Sequence, residues 1–281
     1  MHCAPPLFQA EHSGRHKRQA LIGEYQQITG AKLIVVIDQI TPTNMTVLEE
    51  LLFDCDPQKD LHLLLSSPGG DGETALRMVR SMQQRCKELT VVVPDMAKSA
   101  ATILCLGAHH ILMGPGGDLG PIDPQMIFPG EDGRRTTASA KEIVAAIGEA
   151  EERIRVNPGS FPLFALLLAD VNMLMVEQAK AALSRSEALM REALSAQVRT
   201  QEEVDVLAAR LKEPLIDAPS SHSAVISVDH AKGYGLPAER ADVNSQEWRL
   251  IWELWTQYFS EGCWPAGQKA IYEGIHASHP G

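Results

Sequence analysis

The sequence is poor in aromatic residues, and it has no excess of basic charge. Phe, Trp and Tyr make up 5% of its 281 residues. Lys and Arg number 25 against 36 Asp and Glu, which gives a net charge of −11. Because nucleic-acid-binding surfaces are rich in Lys and Arg, this balance predicts no nucleic-acid partner. The hydrophobic fraction of 44% is typical of a globular protein with a buried core.

Cysteine pairs with the spacing of a disulfide framework or a zinc site are missing. The five cysteines lie at positions 3, 55, 86, 105 and 263, and none belongs to a Cys-x-x-Cys motif. We therefore expect reduced thiols and a cytoplasmic location. His276 and His279 lie three residues apart in a terminal tail, where we expect no metal site.

Long apolar runs are missing as well. The most apolar window, residues 161–176, is interrupted by a proline, an aspartate and an asparagine. It is 16 residues long, whereas a membrane-spanning helix takes about 20 apolar residues. The first 30 residues carry basic side chains without an apolar core after them, which argues against a signal peptide. We expect neither a transmembrane segment nor a signal peptide.

What the first part of the chain does contain is an alternation of two kinds of segment. Short β-branched or leucine-rich runs, typical of buried strands, lie at 33–38, 62–66, 89–93 and 110–113. Segments of helical character separate them, at 43–52, 73–86 and 99–107. This alternation predicts an α/β fold in which helices cover a parallel sheet.

The second half of the chain differs in composition and suggests the domain boundaries. Residues 138–212 are almost entirely helix-forming, and we expect them to pack on the sheet or in oligomer contacts. A last short strand is predicted at 225–228. The predicted organisation is a loose N-terminal arm over 1–20, a main domain over 21–240 and a Trp-rich helical tail over 241–281.

A glycine-rich turn, Ser67-Pro68-Gly69-Gly70-Asp71-Gly72, directly follows the second predicted strand and leads into a helix. Glycines let the backbone approach a ligand closely, and a helix N-terminus presents N–H groups to negative charge. One use is an oxyanion hole for acyl chemistry. Another is dinucleotide binding, because Gly70-x-Gly72-x-x-Ala75 fits the glycine fingerprint and Asp95 follows the next strand. A simple tight turn is the third interpretation.

Ser99 opens the helix that follows the third predicted strand. The positive end of the helix dipole favours a serine alkoxide there, although an N-cap role is the structural alternative. The Gly-x-Ser-x-Gly elbow of α/β-hydrolases is absent. Because both turns follow neighbouring parallel strands, we expect the Gly69 and Gly70 amides and the Ser99 hydroxyl to face one pocket.

A serine nucleophile also needs a base, and Lys141 is the candidate. It begins a helix among apolar neighbours that include Ile143 and Val144. A lysine desolvated in such surroundings can stay neutral and accept the serine proton, and a Ser–Lys pair is a known variant of the catalytic triad. An ordinary surface lysine is the structural alternative.

Residues 61–126 resemble the serine peptidases related to signal peptide peptidase A, and among them the serine dehydrogenase proteinase family. The matching pieces are the SPGG turn, the serine in AKSAAT, the GAHHILMGP strand and LGPIDPQ at 119–125. The segment from His222 to Pro237 resembles the end of the family's domain. The resemblance covers about residues 20–240. It implies the Clp protease and crotonase fold, an α/β superhelix of repeated βαβ units that usually assembles as oligomers, here with a long helical C-terminal half.

The resemblance also implies peptide-bond hydrolysis by a serine nucleophile, and it assigns roles to single residues. Ser99 matches the nucleophile, and Gly70 with the amide of Ala100 matches the oxyanion hole. Lys141, 42 residues after Ser99, matches the lysine base of the signal peptide peptidase A relatives. The histidine that Clp proteases carry some 25 residues after the serine has no counterpart in this chain.

Three further residues are secondary candidates for the site. Lys98 stands where the family usually has methionine, and its charge could alter the pocket or pair with Asp95 or Asp123. Asp123 could orient a neighbouring group or hold a turn. His222 precedes the last predicted strand and matches a histidine of the family.

The sequence thus predicts a serine peptidase, without metal or nucleotide cofactor, that forms an acyl-enzyme on peptides or unfolded proteins and assembles as a homo-oligomer. One alternative is a catalytically silent oligomeric scaffold of the same fold, suggested by Lys98, Ala100 and Ala101 beside the serine. Another is an NAD-binding oxidoreductase that uses the turn over 70–75. A crotonase-like acyl-CoA enzyme is the third.

Overall fold

A mostly parallel sheet runs through the part of the chain that the computed structural model describes, which is residues 7, 12–129, 135–219, 221–263 and 269–280. In chain order, the strands of the described residues are β1 (Lys32–Ile37), β2 (Leu61–Ser66), β3 (Leu89–Val93), β4 (Met96–Ala97), β5 (His110–Met113), β6 (Asp118–Leu119), β7 (Gln125–Pro129), β8 (Arg135–Ser139), β9 (Ala238–Arg240), β10 (Ile271–Glu273) and β11 (Ser278–Pro280). The main sheet has the order β11-β10-β1-β2-β3-β5-β9, in which β10 and β11 run antiparallel to their neighbours. The pairs β4 with β6 and β7 with β8 form two small separate sheets.

Helices cover both faces of this sheet. Those of the described residues are α1 (Ser13–Thr29), α2 (Asn44–Leu51), α3 (Gly72–Gln83), α4 (Ala100–Leu106), α5 (Ala140–Val156), α6 (Phe161–Leu167), α7 (Met173–Leu194), α8 (Gln201–Lys212), α9 (Val228–Gly233) and α10 (Gln246–Ser260). None of them is long and apolar enough to cross a membrane.

The central strands are buried on both faces, which is why they consist of nearly continuous apolar residues. In β1, Ile34 and Val36 contribute to the core under α2, α3 and α4, whereas Leu33 and Val35 contribute to the core under α1 and α10. The parallel register pairs Ile34 with Leu63 in β2, which fixes the two faces. The carboxyl ends of β2 and β3 therefore lie at the same edge of the sheet.

The helix-forming composition of residues 138–212 is confirmed, since α5 to α8 fill most of it. Helices α5 and α7 pack on each other through a small core of Ala140, Ile143, Val176 and Ala179. The C-terminal part of α7 joins the main core through Leu189, Met190 and Leu194. α7 thus connects the sheet to a helical extension, which consists of α5, α6 and the N-terminal part of α7.

The predicted loose arm over 1–20 is wrong for residues 13–20, which form the first part of α1. Arg18 is buried, and its Nε donates to Glu273 Oε2 at 2.7 Å. Leu21, Ile22 and Tyr25 lie on the same face of this helix as Arg18 and are buried against the sheet. Residues 1–6 and 8–11 lie outside the described residues.

The tail over 241–281 is helical where α10 forms, but it is not separate from the main domain. Trp248 and Trp255 of α10 belong to the same core as Leu33 and Val35 of β1. β10 adds to the edge of the main sheet beside β1, with Val36 paired to Tyr272. The predicted boundary at residue 240 therefore has no counterpart in the packing.

The predicted strand over 225–228 is also wrong. Within that range only Ile226 makes a β-bridge, an isolated one to Leu119. Helix α9 begins at Val228, where the Ser227 hydroxyl accepts a hydrogen bond from the His230 N–H at 3.3 Å. This cap diverts the chain into a helix after one bridging residue.

Candidate active site

The glycine-rich turn after β2 has backbone angles that only glycine adopts readily. Gly69 has φ of +103° and Gly70 has φ of +134°. A Cβ atom on Gly70 would collide with the carbonyl of Ile40. The glycine turn is held to Ile40 by two hydrogen bonds of 2.8 Å. The Ile40 N–H donates to the Gly69 carbonyl, and the Asp71 N–H donates to the Ile40 carbonyl. These contacts fix the turn before α3 begins.

Ser99 has a strained backbone at the turn between β4 and α4. Its φ is +50° with ψ of −114°, and it is the one non-glycine residue with positive φ among the described residues. Such angles cost a residue with a Cβ about 1–3 kcal/mol and concentrate at functional sites. The Ser99 hydroxyl makes no cap hydrogen bond to α4, so the N-cap interpretation does not account for it. No sequence motif indicated this strain, since the Gly-x-Ser-x-Gly pattern is absent.

The two turns lie against each other. Ser67 bridges Ala97, with hydrogen bonds of 3.0 Å from Ser67 N–H to the Met96 carbonyl and from Lys98 N–H to the Ser67 carbonyl. A Cβ atom on Gly69 would lie 2.7 Å from the Cβ of Ser99. The strand-end geometry predicted from the sequence therefore does bring the glycine turn and the serine turn into contact.

Two backbone N–H groups beside Ser99 have no acceptor among the described residues, namely those of Gly70 and Ala100. Because the residues before and after Gly70 bond to Ile40, the N–H of Gly70 itself points away from Ile40. Ala100 is the first residue of α4, whose first N–H groups have no partner within the helix. Both residues, with Ser99, border the same cavity. Ala100 is buried, where a backbone donor without a partner is rare, whereas Gly70 is exposed. Both donors belong to residues that border a space that a ligand can enter.

This cavity has a volume of about 240 Å³. Its apolar wall is formed by Ile103, Ile122 and Leu189. Helix α7 closes one side and is held to α3 by ion pairs, with Arg185 contacting Glu73 at 2.5 and 2.7 Å. Ser99 itself is half-buried and lines this cavity.

Lys141 lies in a neighbouring cavity of about 510 Å³ instead of at the Ser99 hydroxyl. Its Nζ donates to the carbonyl of Pro219. Its backbone N–H donates to the Ser139 hydroxyl at 3.2 Å, as part of the capping box that begins α5. The structure thus places the predicted base at the start of a helix, as expected, but does not bond it to Ser99.

Asp123 is buried and borders both cavities. Its Oδ1 accepts a hydrogen bond from Ser139 Oγ at 2.7 Å, and its Oδ2 accepts one from Gln125 Nε2 at 3.0 Å. The carboxylate therefore holds the segment after β6 to the start of α5.

Lys98 points away from the cavity of Ser99. Its Nζ lies 2.6 Å from Asp118 Oδ2 and also donates to the carbonyls of Leu119 and Ala224, at 3.2 and 3.3 Å. Its partner is therefore neither Asp95 nor Asp123. Burial raises the pKa of the Asp118 carboxyl, and the hydrogen bond from Lys98 opposes that shift. Lys98 joins β4, β6 and the segment before α9.

His222 borders the cavity of Lys141. Its Nδ1 is buried and has no hydrogen-bond partner. No hydrogen bond or ion pair among the described residues joins it to Ser99. It is a neighbour of the predicted base, not of the nucleophile.

Comparison with known proteins agrees with this architecture. The fold is of the ClpP-like α/β class, with a mostly parallel sheet and roughly half of the residues helical. Residues 44–147 match the family of ClpP-like SDH-type serine proteinases, which confirms the family predicted from the sequence. The matched stretch contains Gly70, Ser99, Ala100 and Lys141.

Two proteins of Methanocaldococcus jannaschii, both described as uncharacterized, are similar in sequence. One is 34% identical over 68 residues, which are 24% of this chain and 24% of its own length. The other is 22% identical over 198 residues, which are 70% of this chain and 56% of its own length. The chain therefore spans about a quarter and about a half of the lengths of these two relatives.

Among solved structures, a mutant of the 1510-N membrane-bound stomatin-specific protease matches 44% of this chain and 64% of its own, at 23% identity and a TM-score of 0.30. A likeness of that size supports no inference about this chain.

Proposed function

We propose that this chain is a serine peptidase in which Ser99 is the nucleophile and the N–H groups of Gly70 and Ala100 form the oxyanion hole. The observation that carries the proposal is the strained backbone of Ser99, packed on the glycine turn between two backbone donors without partners. Strain of this kind is retained where it presents a side chain for chemistry. The match to a family of serine proteinases supports the same conclusion.

In the proposed reaction, the carbonyl oxygen of the scissile peptide bond accepts hydrogen bonds from Gly70 and Ala100. Ser99 Oγ attacks the carbonyl carbon while its proton moves to the neutral amine of Lys141. Negative charge then develops on the oxygen held by the two N–H groups, which stabilise it. The Lys141 ammonium returns the proton to the leaving amine as the C–N bond breaks, which leaves an acyl-enzyme on Ser99.

Water completes the cycle. Lys141 takes a proton from a water molecule that attacks the acyl carbon, and Ser99 recovers its proton when the ester bond breaks. For these steps, Lys141 Nζ must exchange the carbonyl of Pro219 for the hydroxyl of Ser99. Its long side chain and its position at the start of α5 allow such a change of partner.

The proposal is tested by labelling with a fluorophosphonate probe and intact-mass spectrometry. Wild-type protein is expected to gain one probe adduct, and the variant Ser99→Ala is expected to gain none. Ser221→Ala is the matched control, because Ser221 is an exposed serine on the neighbouring cavity and its loss leaves labelling unchanged. An adduct on Ser99→Ala would place the nucleophile elsewhere, and an unlabelled wild type would favour the silent scaffold.

The role of Lys141 needs a separate variant. Lys141→Ala is expected to lose turnover of peptide or ester substrates while it keeps its fold, which circular dichroism checks. His222→Ala and Lys98→Ala serve as comparisons, since the structure separates both side chains from the Ser99 cavity. Full activity of Lys141→Ala would assign the base to another group.

We also propose that the chain forms homo-oligomers through the end of its helical extension. Helix α6 has no buried residue, and four of its apolar side chains are exposed: Phe161 by 60%, Leu163 by 57%, Leu166 by 75% and Leu167 by 66%. Continuous apolar surface of this kind on a folded chain marks an interaction site. A second copy of the same extension supplies a matching apolar surface.

We propose a reducing compartment such as the cytoplasm for this protein. The cysteines of the described residues, Cys55, Cys86, Cys105 and Cys263, are all free thiols. Burial raises the pKa of the Cys86 thiol to about 12, so this thiol stays protonated and unreactive at neutral pH. Free thiols are the usual state in reducing compartments.

A further inference from the structure

Asp123 is a buried acid whose hydrogen-bond partners are both neutral. It is 4% exposed, and no cationic side chain of the described residues forms an ion pair with it. Ser139 Oγ and Gln125 Nε2 donate to its two oxygens. A buried carboxylate with only neutral partners is costly, and an asparagine of the same size avoids most of that cost. Packing alone therefore does not explain an acid at this position.

The position of Asp123 relative to the two cavities suggests what the acid does. One cavity contains Ser99, and the other contains Lys141. Among the described residues that line them, Asp123 is the one that borders both. The Asp123 carboxylate thus lies between the cavity of Ser99, the proposed nucleophile, and the cavity of Lys141, the proposed base.

Ser139 connects this carboxylate to the lysine through one hydroxyl group. Its Oγ donates to Asp123 and accepts from the backbone N–H of Lys141, at 2.7 and 3.2 Å. Ser139 is itself only 5% exposed. The carboxylate and the first turn of α5 are therefore held in one hydrogen-bonded unit.

We propose that Asp123 is a positioning residue that draws the Lys141 amine from its own cavity to the Ser99 hydroxyl and stabilises the ammonium formed there. The inference rests on the proposed function. As the Ser99 proton moves to Lys141 Nζ and the bond from Oγ to the acyl carbon forms, positive charge appears on Nζ. A carboxylate already oriented by Ser139 stabilises that charge without further rearrangement.

The test compares Asp123→Asn with Asp217→Asn. Both variants remove one negative charge from the lining of the Lys141 cavity, but Asp217 is exposed and does not border the Ser99 cavity. The rate of fluorophosphonate labelling at Ser99 is measured between pH 5 and pH 10. Asp123→Asn is expected to slow labelling about 10- to 100-fold and to move the acid limb of the pH profile to lower pH, because the ammonium loses a stabilising charge. Asp217→Asn is expected to keep the wild-type rate and profile.

A folded Asp123→Asn with the rate and pH profile of the wild type overturns the inference while the proposed function stands. Should wild-type Ser99 take up no probe, the proposed function fails first and the inference fails with it. If Asp123→Asn does not fold, Ser139→Ala and Ser139→Thr decide. Loss of the hydroxyl is expected to slow labelling, and threonine, which keeps a hydroxyl at that position, is expected to restore it. Equal rates in Ser139→Ala, Ser139→Thr and wild type would also overturn the inference.

Discussion

The Cβ of Ser99 lies 2.7 Å from the place where a side chain on Gly69 would begin. The same position is 2.7 Å from the carbonyl oxygen of Lys98. There is consequently no room for any side chain between the glycine turn and the serine turn. The approach of the two turns depends on the absence of one methyl group.

Gly69→Ala is therefore expected to separate the two turns and to slow Ser99 labelling about tenfold or more, since the oxyanion donors and the nucleophile no longer share one geometry. Gly30→Ala is the matched control. Gly30 also has positive φ, but a Cβ there would meet nothing within 4 Å. Both variants place a Cβ on a backbone with positive φ and are destabilised by that strain. Only Gly69→Ala also creates a clash with the serine turn, so only this variant should lose labelling. Equal labelling by the two would show that the turns do not need this contact.

Ser99→Gly is expected to be more stable than Ser99→Ala. The backbone of Ser99, with φ of +50°, suits glycine and strains any residue with a Cβ. The free energy of unfolding should therefore be larger in the glycine variant by about 1–2 kcal/mol, against the usual order of alanine over glycine. Urea denaturation of the two inactive variants measures this difference. A more stable alanine variant would contradict the strain at Ser99.

Stability should fall in acid because of His62. Burial lowers the pKa of His62 to about 4, and its Nδ1 lies 2.8 Å from the Tyr25 hydroxyl. The unfolded chain binds a proton at this histidine below pH 6.5, whereas the folded chain does not until about pH 4. The stabilising effect of the neutral ring is therefore complete above pH 6.5 and is lost as the pH falls from 6.5 to 4, by up to about 3 kcal/mol.

His62→Gln isolates this contribution, because glutamine offers a polar partner to Tyr25 and does not titrate. The free energy of unfolding of wild type and variant is measured by urea denaturation at pH 8 and pH 5. The wild type should lose more stability than the variant over this range. Parallel losses in the two proteins would assign the acid sensitivity to other groups.

The buried charges around Glu273 should matter more for stability than exposed ion pairs. Glu273 is fully buried and accepts hydrogen bonds from Arg18 Nε and from the Tyr258 hydroxyl, both at 2.7 Å. Glu273→Ala leaves the Arg18 charge without its buried partner and is expected to cost about 3–5 kcal/mol. Tyr258→Phe leaves the carboxylate one donor short and is expected to cost about 1–3 kcal/mol.

Lys17→Ala is the control for these two variants. Lys17 lies 3.7 Å from Glu253 with both side chains more than half exposed, so its loss should change stability by less than about 0.5 kcal/mol. Thermal and urea unfolding of the three variants give the ranking. A Glu273→Ala variant as stable as Lys17→Ala would contradict the importance of the buried pair.

The exposed end of the helical extension should determine the oligomeric state. The double variant of Leu163→Glu and Leu166→Glu places charge on α6 and is expected to lower the mass in solution, as measured by size-exclusion chromatography with light scattering. Phe53→Glu is the control, because Phe53 is 85% exposed and lies far from α6 in the sequence. An unchanged mass in the double variant would exclude α6 as the interface.

Much of the fold could be predicted because the central strands can be recognised from their own residues, without knowledge of their partners. The predicted runs at 33–38, 62–66, 89–93 and 110–113 differ from β1, β2, β3 and β5 by at most one residue at each end. Strands buried on both faces are nearly continuous apolar runs, and the short length and β-branched residues of these runs favour strands over helices. The contact between the two turns followed from the parallel order of these strands.

Other features depend on residues that are distant in the sequence. β10 and β11 contain three residues each, IYE and SHP, and neither triplet has a strand pattern by itself. β10 is held by partners distant in the sequence: it pairs with β1, and its Glu273 accepts a hydrogen bond from Arg18, 255 residues earlier in the chain. The side-chain direction of Lys141 was likewise not predictable, because its present partner is the carbonyl of Pro219, 78 residues away.

The edge of the main sheet has a consequence for how the chain folds. β1 ends at Ile37, but the edge of β1 that faces away from β2 is paired by β10, which begins at Ile271. During synthesis the hydrogen-bonding groups along that side of β1 therefore stay unpaired until residues beyond 271 leave the ribosome. An uncovered apolar edge strand is a template for pairing with other chains. From the emergence of β1 until β10 follows, the nascent chain thus exposes an edge that can pair with other chains.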